Sequence, residues 1–348
     1  MKGDNFPMKN DKQAIHQFAL GLIATDGRRV GSRLATHFGV SRQVANGYLS
    51  ALLADGLVDA EGSTQARVYR LRTLAEASHT YTRAGLQEDV VWRRDFAPLV
   101  AHLPANVRDI WGHGVTEMVN NAIDHSGSDD VRVRLTRNAV VTEVQIADDG
   151  EGIFQKIQRA LGLFDAREAI LELAKGKLTT APAQHSGEGI FFTSRAMDVF
   201  EIRSGRLVFS HAGAQRDVLT ETCTAVAGTE IAMRLANTST RTLREVFDAY
   251  ADPAEYSFDR TVVPLRLAQH EGEKLVSRSQ AKRVAHRFER FKLVQLDFAG
   301  VEEIGQAFAD ELFRVFADAH PDVQLLPINA SEPIAHMVSR VTAARAIR

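Results

Sequence analysis

The stretch Glu117-Met118-Val119-Asn120-Asn121-Ala122-Ile123-Asp124-His125 decides how the rest of the chain is read. It sets a carboxylate and a carboxamide four residues apart inside an apolar-periodic segment. On a helix that spacing stacks Glu117 and Asn121 on one face. A carboxylate there can take a proton from water, and an amide oxygen beside it can hold a hard cation such as magnesium. His113 and His125 extend the same face by four residues in each direction. Two glycine-rich turns follow, Asp148-Asp149-Gly150-Glu151-Gly152-Ile153 and Ser186-Gly187-Glu188-Gly189-Ile190. This order of parts points to a magnesium-nucleotide site.

Composition bounds the remaining possibilities. At 348 residues, with 45% apolar and 25% charged residues, the chain reads as two or three ordinary globular domains. The formal net charge of −2 offers no global attraction for nucleic acid, so any basic patch must be local. One cysteine, Cys223, excludes an internal disulfide framework and fits a reducing compartment. No apolar run approaches the roughly 18 residues that span a bilayer. The N-terminus, with Asp4, Lys9, Asp11 and Lys12, shows neither a secretory core nor a lipidation signal. A cytoplasmic protein without membrane contact is expected.

Upstream of the central stretch, residues 11–72 carry three short helical patterns. The first holds Ile15, Phe18, Ala19, Leu22 and Ile23; the second, Val30, Leu34 and Phe38, closes at Gly39. Ser41 caps the third, Arg42 to Ala54, which buries Val44, Tyr48, Leu49, Leu52 and Leu53. Two strand-like runs, 57–60 and 67–71, flank the turn Glu61-Gly62-Ser63-Thr64. The phrase RLATHFGVSRQVANGYLSALLADGLV resembles the bacterial winged helix-turn-helix. A recognition helix offers its first turns to base edges, here Arg42, Gln43 and Asn46, with Arg28, Arg29, Arg33 and the wing residue Arg67 for phosphates. The alternative is a winged helix used for protein contacts. The surrounding charge is modest, so a homodimer is expected to be needed for firm DNA binding.

Residues 73–86 show no strong pattern and are read as a linker. Two strands, 131–135 and 140–147, lead to Asp148. Residues 153–184 are long for a plain connection and are read as a lid. Lys175 and Lys177 fall in it as candidates for a terminal phosphate, the alternative being a solvated face. Further strands are expected at 199–202, 206–210 and 228–235.

Glu117-x-x-x-Asn121-Ala122, Asp148-x-Gly150-x-Gly152, Gly187-x-Gly189 and Gly228-Thr229 resemble, in order, the conserved boxes of the GHKL ATPases. The resemblance covers about residues 85–240 and implies an α/β sandwich of the Bergerat type with ATP and Mg²⁺ as cofactors. It makes Glu117 the general base for water and Asn121 the magnesium ligand. Asp148 would accept from the adenine amino group, and Thr229 would help hold the adenine end. Gly150 and Gly152 would let the backbone pass close to base and ribose. Gly187 and Gly189 would offer backbone N–H groups to phosphates at a helix start.

Competing readings fit less well. A dinucleotide fingerprint needs a third glycine near position 155, where Gln155 stands, and no Gly-x-x-x-x-Gly-Lys-Ser/Thr string occurs. Zinc on His113, Glu117 and His125 would join histidines twelve residues apart, rotated away from each other. Sensor kinases carry a phospho-acceptor histidine helix ahead of the ATPase domain; here that slot holds the winged helix.

From 255 to 348, alternating strands and helices argue a small α/β domain. VQLDFAGVEEIGQAFADELF resembles the strand–turn–helix of STAS-like anti-sigma antagonists. Gln306 and Ala307 stand where those proteins carry a phosphorylated serine, which leaves a role in docking a protein partner. The expected fold is therefore multidomain, α+β and α/β: winged helix 11–72, linker 73–86, GHKL domain 87–240 with lid 153–184, and STAS-like domain 255–348. The expected function is an ATPase that controls DNA binding. The alternative is a serine/threonine protein kinase of the anti-sigma-factor type.

Overall fold

The computed structural model describes residues 12–63, 66–178, 187–213, 217–251, 257–269 and 273–346. Ser186, part of the second glycine turn, and the end of the lid segment lie outside them. Among the described residues no helix is long and apolar enough to cross a membrane.

Three helices and a strand pair open the chain: α1 (Lys12–Thr25), α2 (Val30–Phe38), α3 (Arg42–Ala54), β1 (Val58–Glu61) and β2 (Val68–Leu71). They enclose a core of their own, built on Ile15, Ile23, Val30, Leu34, Leu49, Leu52 and Tyr69. Gly39 closes α2 in the left-handed region at φ 64°, and the Ser41 hydroxyl accepts from the Val44 N–H at 3.2 Å to start α3. Val44, expected on the core face, is instead 46% exposed; Ala45 takes the buried position.

Residues 73–86 are not a linker. They contain β3 (Ala75–Thr82), which pairs antiparallel with β4 (Asp130–Arg137) along its whole length. As an edge strand it buries only Tyr81, so its sequence carries almost no alternation. Helices α4 (Glu88–Val91) and α5 (Ala97–Val100), joined by the π-helical turn Trp92–Phe96, lead to α6 (Ala105–His125). The 21-residue α6 buries Val107, Ile110, Trp111, Val115, Met118 and Val119 against the sheet.

That sheet runs β3-β4-β5-β7-β6, every neighbour antiparallel, with β5 (Val141–Asp148), β6 (Val199–His211) and β7 (Val218–Ala236). Where two short strands are expected at 199–210, β6 is continuous, with a register shift between Ser204 and Leu207. Between β5 and β6 lie α7 (Ile153–Leu161), α8 (Ala166–Lys175) and α9 (Gly189–Ala196). After β7 comes α10 (Leu243–Asp248).

The C-terminal unit has three parallel strands in the order β10-β9-β8: β8 (Arg260–Pro264), β9 (Leu293–Asp297) and β10 (Gln324–Ile328). Its helices are α11 (Arg278–Ala285), α12 (Gln306–Asp310), α13 (Ala317–Ala319) and α14 (Glu332–Ala346), with a π-helical turn Glu311–Phe316 between α12 and α13. The sequence pattern from Ser279 predicts a helix through Phe291, but α11 stops at Ala285: His286 leaves helical geometry at ψ 126°, and Arg287 follows at φ 68°. This unit does not stand apart. One hydrophobic core runs from α6 through Phe191, Phe192 and Phe258 to Phe288 and Phe308.

Candidate functional site

The long helix α6 and the strand pair β5–β7 make the walls of one cleft. Ladder register places Asp148 opposite Thr229, so two residues 81 positions apart in sequence meet at the same end of the sheet. Ile146, Ile153, Ile157 and Ile231 give the cleft flat apolar sides, and Asn121, Asp148, Lys156 and Thr229 are among its polar groups. Such a slot, apolar with few convergent polar atoms, suits a planar base with a polar edge.

At the closed end, Asp148 is 5% exposed and its Oδ1 accepts from the Gly150 N–H at 2.9 Å. Burial pushes this carboxyl up, and backbone N–H donors of Gly150 and Thr229 draw it part of the way back. Thr229 Oγ1 accepts from the Ile153 N–H at 3.0 Å and so fastens the start of α7. Ser204, which the sequence did not single out, donates to the Gly228 carbonyl at 2.8 Å and braces the same turn.

Glycine is required here by contact. A methyl group on Gly150 would strike the Ser126 carbonyl, and one on Gly228 would strike the Asp148 carbonyl. Gly152 has φ 91°, and its hypothetical Cβ would lie 2.5 Å from Ser204 Oγ.

The other end is built from α6 and the start of α9. Any side chain at Gly189 would collide with the Glu117 carboxylate, which therefore faces the helix start where backbone N–H groups point outward. Gly187, at φ 74°, accepts at its carbonyl from the Leu178 N–H at 3.0 Å. Asn121 lines the cleft with its Nδ2 buried and without a hydrogen-bond partner, an orphan carboxamide of the kind a ligand satisfies. Among the described residues no three His, Cys, Asp or Glu side chains converge. A magnesium ion here would take the Asn121 Oδ1, the amide's acceptor, together with phosphate oxygens of its ligand, and would neutralise charge on those oxygens.

Asn121, Asp148, Gly152, Gly187 and Thr229 all line the cleft, while Glu117 and Gly189 face each other beside the lining residues Met118 and Ile190 without lining it themselves. His113 is half-buried and edge-on against Phe247, and burial lowers its pKa. Lys175 and Lys177 do not reach toward the cleft. Lys175 is fully buried in an ion pair with Glu172, and Lys177 pairs with Asp259 beneath the Phe291 ring. Sequence reading missed Lys156, the one lysine or arginine among the described lining residues, whose Nζ donates to the His125 carbonyl at 2.6 Å.

Arg42, Gln43 and Asn46 on α3 and Arg67 just before β2 are all exposed, and none of them lines this cleft. Arg67 lies over the Tyr69 ring at 5.6 Å.

No curated protein matches the chain. Two family models do: the histidine kinase-like ATPase domain over residues 64–208 and a STAS-like domain of unknown function over residues 280–335. The first match takes in β3, in keeping with its place in the sheet, and the second covers β9 and β10. Most of the cleft's lining residues fall within the stretch that matches the histidine kinase-like ATPase domain, and the unit packed beside it carries the STAS-like match.

Proposed function

We propose that this protein is an ATP-dependent switch whose nucleotide cleft controls DNA binding by an N-terminal winged helix-turn-helix. The observation that carries the reading is the Glu117 carboxylate set against Gly189, at the helix start that would receive phosphates. In this reading Asp148 accepts from the adenine amino group, Asn121 holds Mg²⁺, and Glu117 takes the proton of an attacking water. Gly187 and Gly189 hold the phosphates through backbone N–H groups.

The DNA arm is supported by the free face of α3. Arg42, Gln43 and Asn46 offer donors suited to purine edges, and exposed Val44 offers an apolar contact for a thymine methyl. Arg28, Arg29 and Arg33 lie exposed near the start of α2, available to phosphates. A route between the sites exists: Ala139 and Val140, from the β4–β5 turn, pack against the N-terminal core. A homodimer on paired half-sites would supply the affinity that one modestly charged copy lacks.

The test is incubation with γ-labelled ATP and Mg²⁺, with and without cell extract. Free phosphate that disappears in Glu117→Ala supports the reading. Label on a protein instead would replace it with a protein kinase acting on serine or threonine of a partner.

A further inference from the structure

We infer that Arg287, in the STAS-like unit, is a positioning residue of the nucleotide cleft, and that this unit serves in cis to hold the cleft's α8 wall. The inference rests on the nucleotide reading above. Helix α8 has two working faces. Leu173 and, just beyond the helix, Leu178 line the cleft, while Glu172 and Lys175 point into the C-terminal unit.

The second face is held by charge as well as packing. Glu172, 2% exposed, meets Lys175 Nζ at 2.5 Å, Arg287 Nη1 at 2.9 Å and His286 Nδ1 at 3.4 Å. Lys175 Nζ also donates to the His286 carbonyl at 2.9 Å, and Thr261 Oγ1 donates to the Lys175 carbonyl at 2.7 Å. Arg287 then reaches past the helix end, donating to the Gly176 carbonyl at 2.9 Å and to that of Lys177. Two residues further on, the Leu178 N–H donates to Gly187, the glycine of the phosphate turn. An unbroken chain of polar contacts therefore joins Arg287 to Gly187.

Two features argue that this geometry is specified. Arg287, two residues past the end of α11, occupies the left-handed region at φ 68°, uncommon for arginine. Gly176 has φ 80°, and a Cβ there would lie 2.7 Å from Phe258 Cζ, so the exit from α8 is wedged against the ring. An ordinary domain contact needs neither. Contacts to the phosphate turn should favour a triphosphate over the nucleoside alone, and coupling of this kind is reciprocal.

Hydrogen exchange on the full chain with and without ATP and Mg²⁺ tests the link directly. Added protection is expected in α8 and in residues 278–297, together with the cleft. Calorimetry should then show Arg287→Met weakening ATP binding about tenfold, with adenosine binding unchanged and Arg287→Lys recovering part of the loss. ATP binding without protection at 278–297 overturns the inference and leaves the nucleotide reading standing, as does a folded Arg287→Met protein with wild-type ATP affinity. Should that variant not fold, exchange on the wild-type chain decides. Failure of the wild-type chain to bind ATP removes both.

Discussion

Asp148 and Glu172 are both carboxylates sealed inside this protein, at 5% and 2% exposure, yet their surroundings push them in opposite directions. Asp148 has backbone N–H donors but no cation in contact, and burial raises its pKa. Burial would raise Glu172 as well, but Lys175, His286 and Arg287 outweigh it and bring the carboxyl down to about 2. A buried acid whose charge is answered by protein is part of the fold. One without a cation in contact, lining the same cleft as the orphan amide of Asn121, is in the proposed reading where a ligand would finish the structure.

The sharpest break in the comparison comes from a third acid. Glu117→Ala should lower ATP turnover by about 10²–10⁴-fold while ATP still binds, as phosphate release and calorimetry will show. At the answered acid, Glu172→Gln leaves Lys175 and Arg287 without their countercharge and should destabilise the protein by about 3–5 kcal/mol, read as a lowered Tm. Asp148→Asn is the opposite case. It should weaken ATP by about 1–3 kcal/mol through loss of one acceptor, while the stability of the unliganded protein stays level or rises.

Acid titration sharpens the same contrast. Because the folded pKa of Glu172 lies below its ordinary 4.5, its contribution to stability is present above that pH and is lost as pH falls toward about 2. Asp148, raised on folding, has the reverse sign: its contribution is fully present below the ordinary 3.8 and is lost as pH rises through the folded value. Urea melts across this range should fall with acid in the wild type, and less so in Glu172→Gln. The smallest effect lies outside the cleft. Arg42→Ala with Asn46→Ala should cost about 1–3 kcal/mol of base discrimination per lost contact in a gel-shift series, with ATP binding intact.

Much of the cleft was legible in the sequence. Glu117 and Asn121 declared themselves through the helical period, and Gly152, Gly187 and Gly228 through their place in the glycine motifs; each has a positive φ in the fold. Lys156 was not legible, since its relevance depends on α7 folding back over the His125 carbonyl. Strand β3 escaped because an edge strand with one buried residue leaves no periodic trace. The lid lysines misled for a related reason: Glu172 and Lys175, three residues apart, look on paper like a solvated helical pair.

Local chemistry alone thus set the helix with its acid and amide, the glycine turns, the α3 cap and the strand–helix alternation of the C-terminal unit. Each depends on neighbours within a few residues, where side-chain period and backbone strain act. Tertiary structure alone decided which of these pieces share a core. Glu172 becomes a buried anchor only because Arg287, 115 residues away, takes a left-handed turn and aims its guanidinium back at α8. Burial and countercharge are properties of what surrounds a residue in space, and no spacing along the chain encodes them.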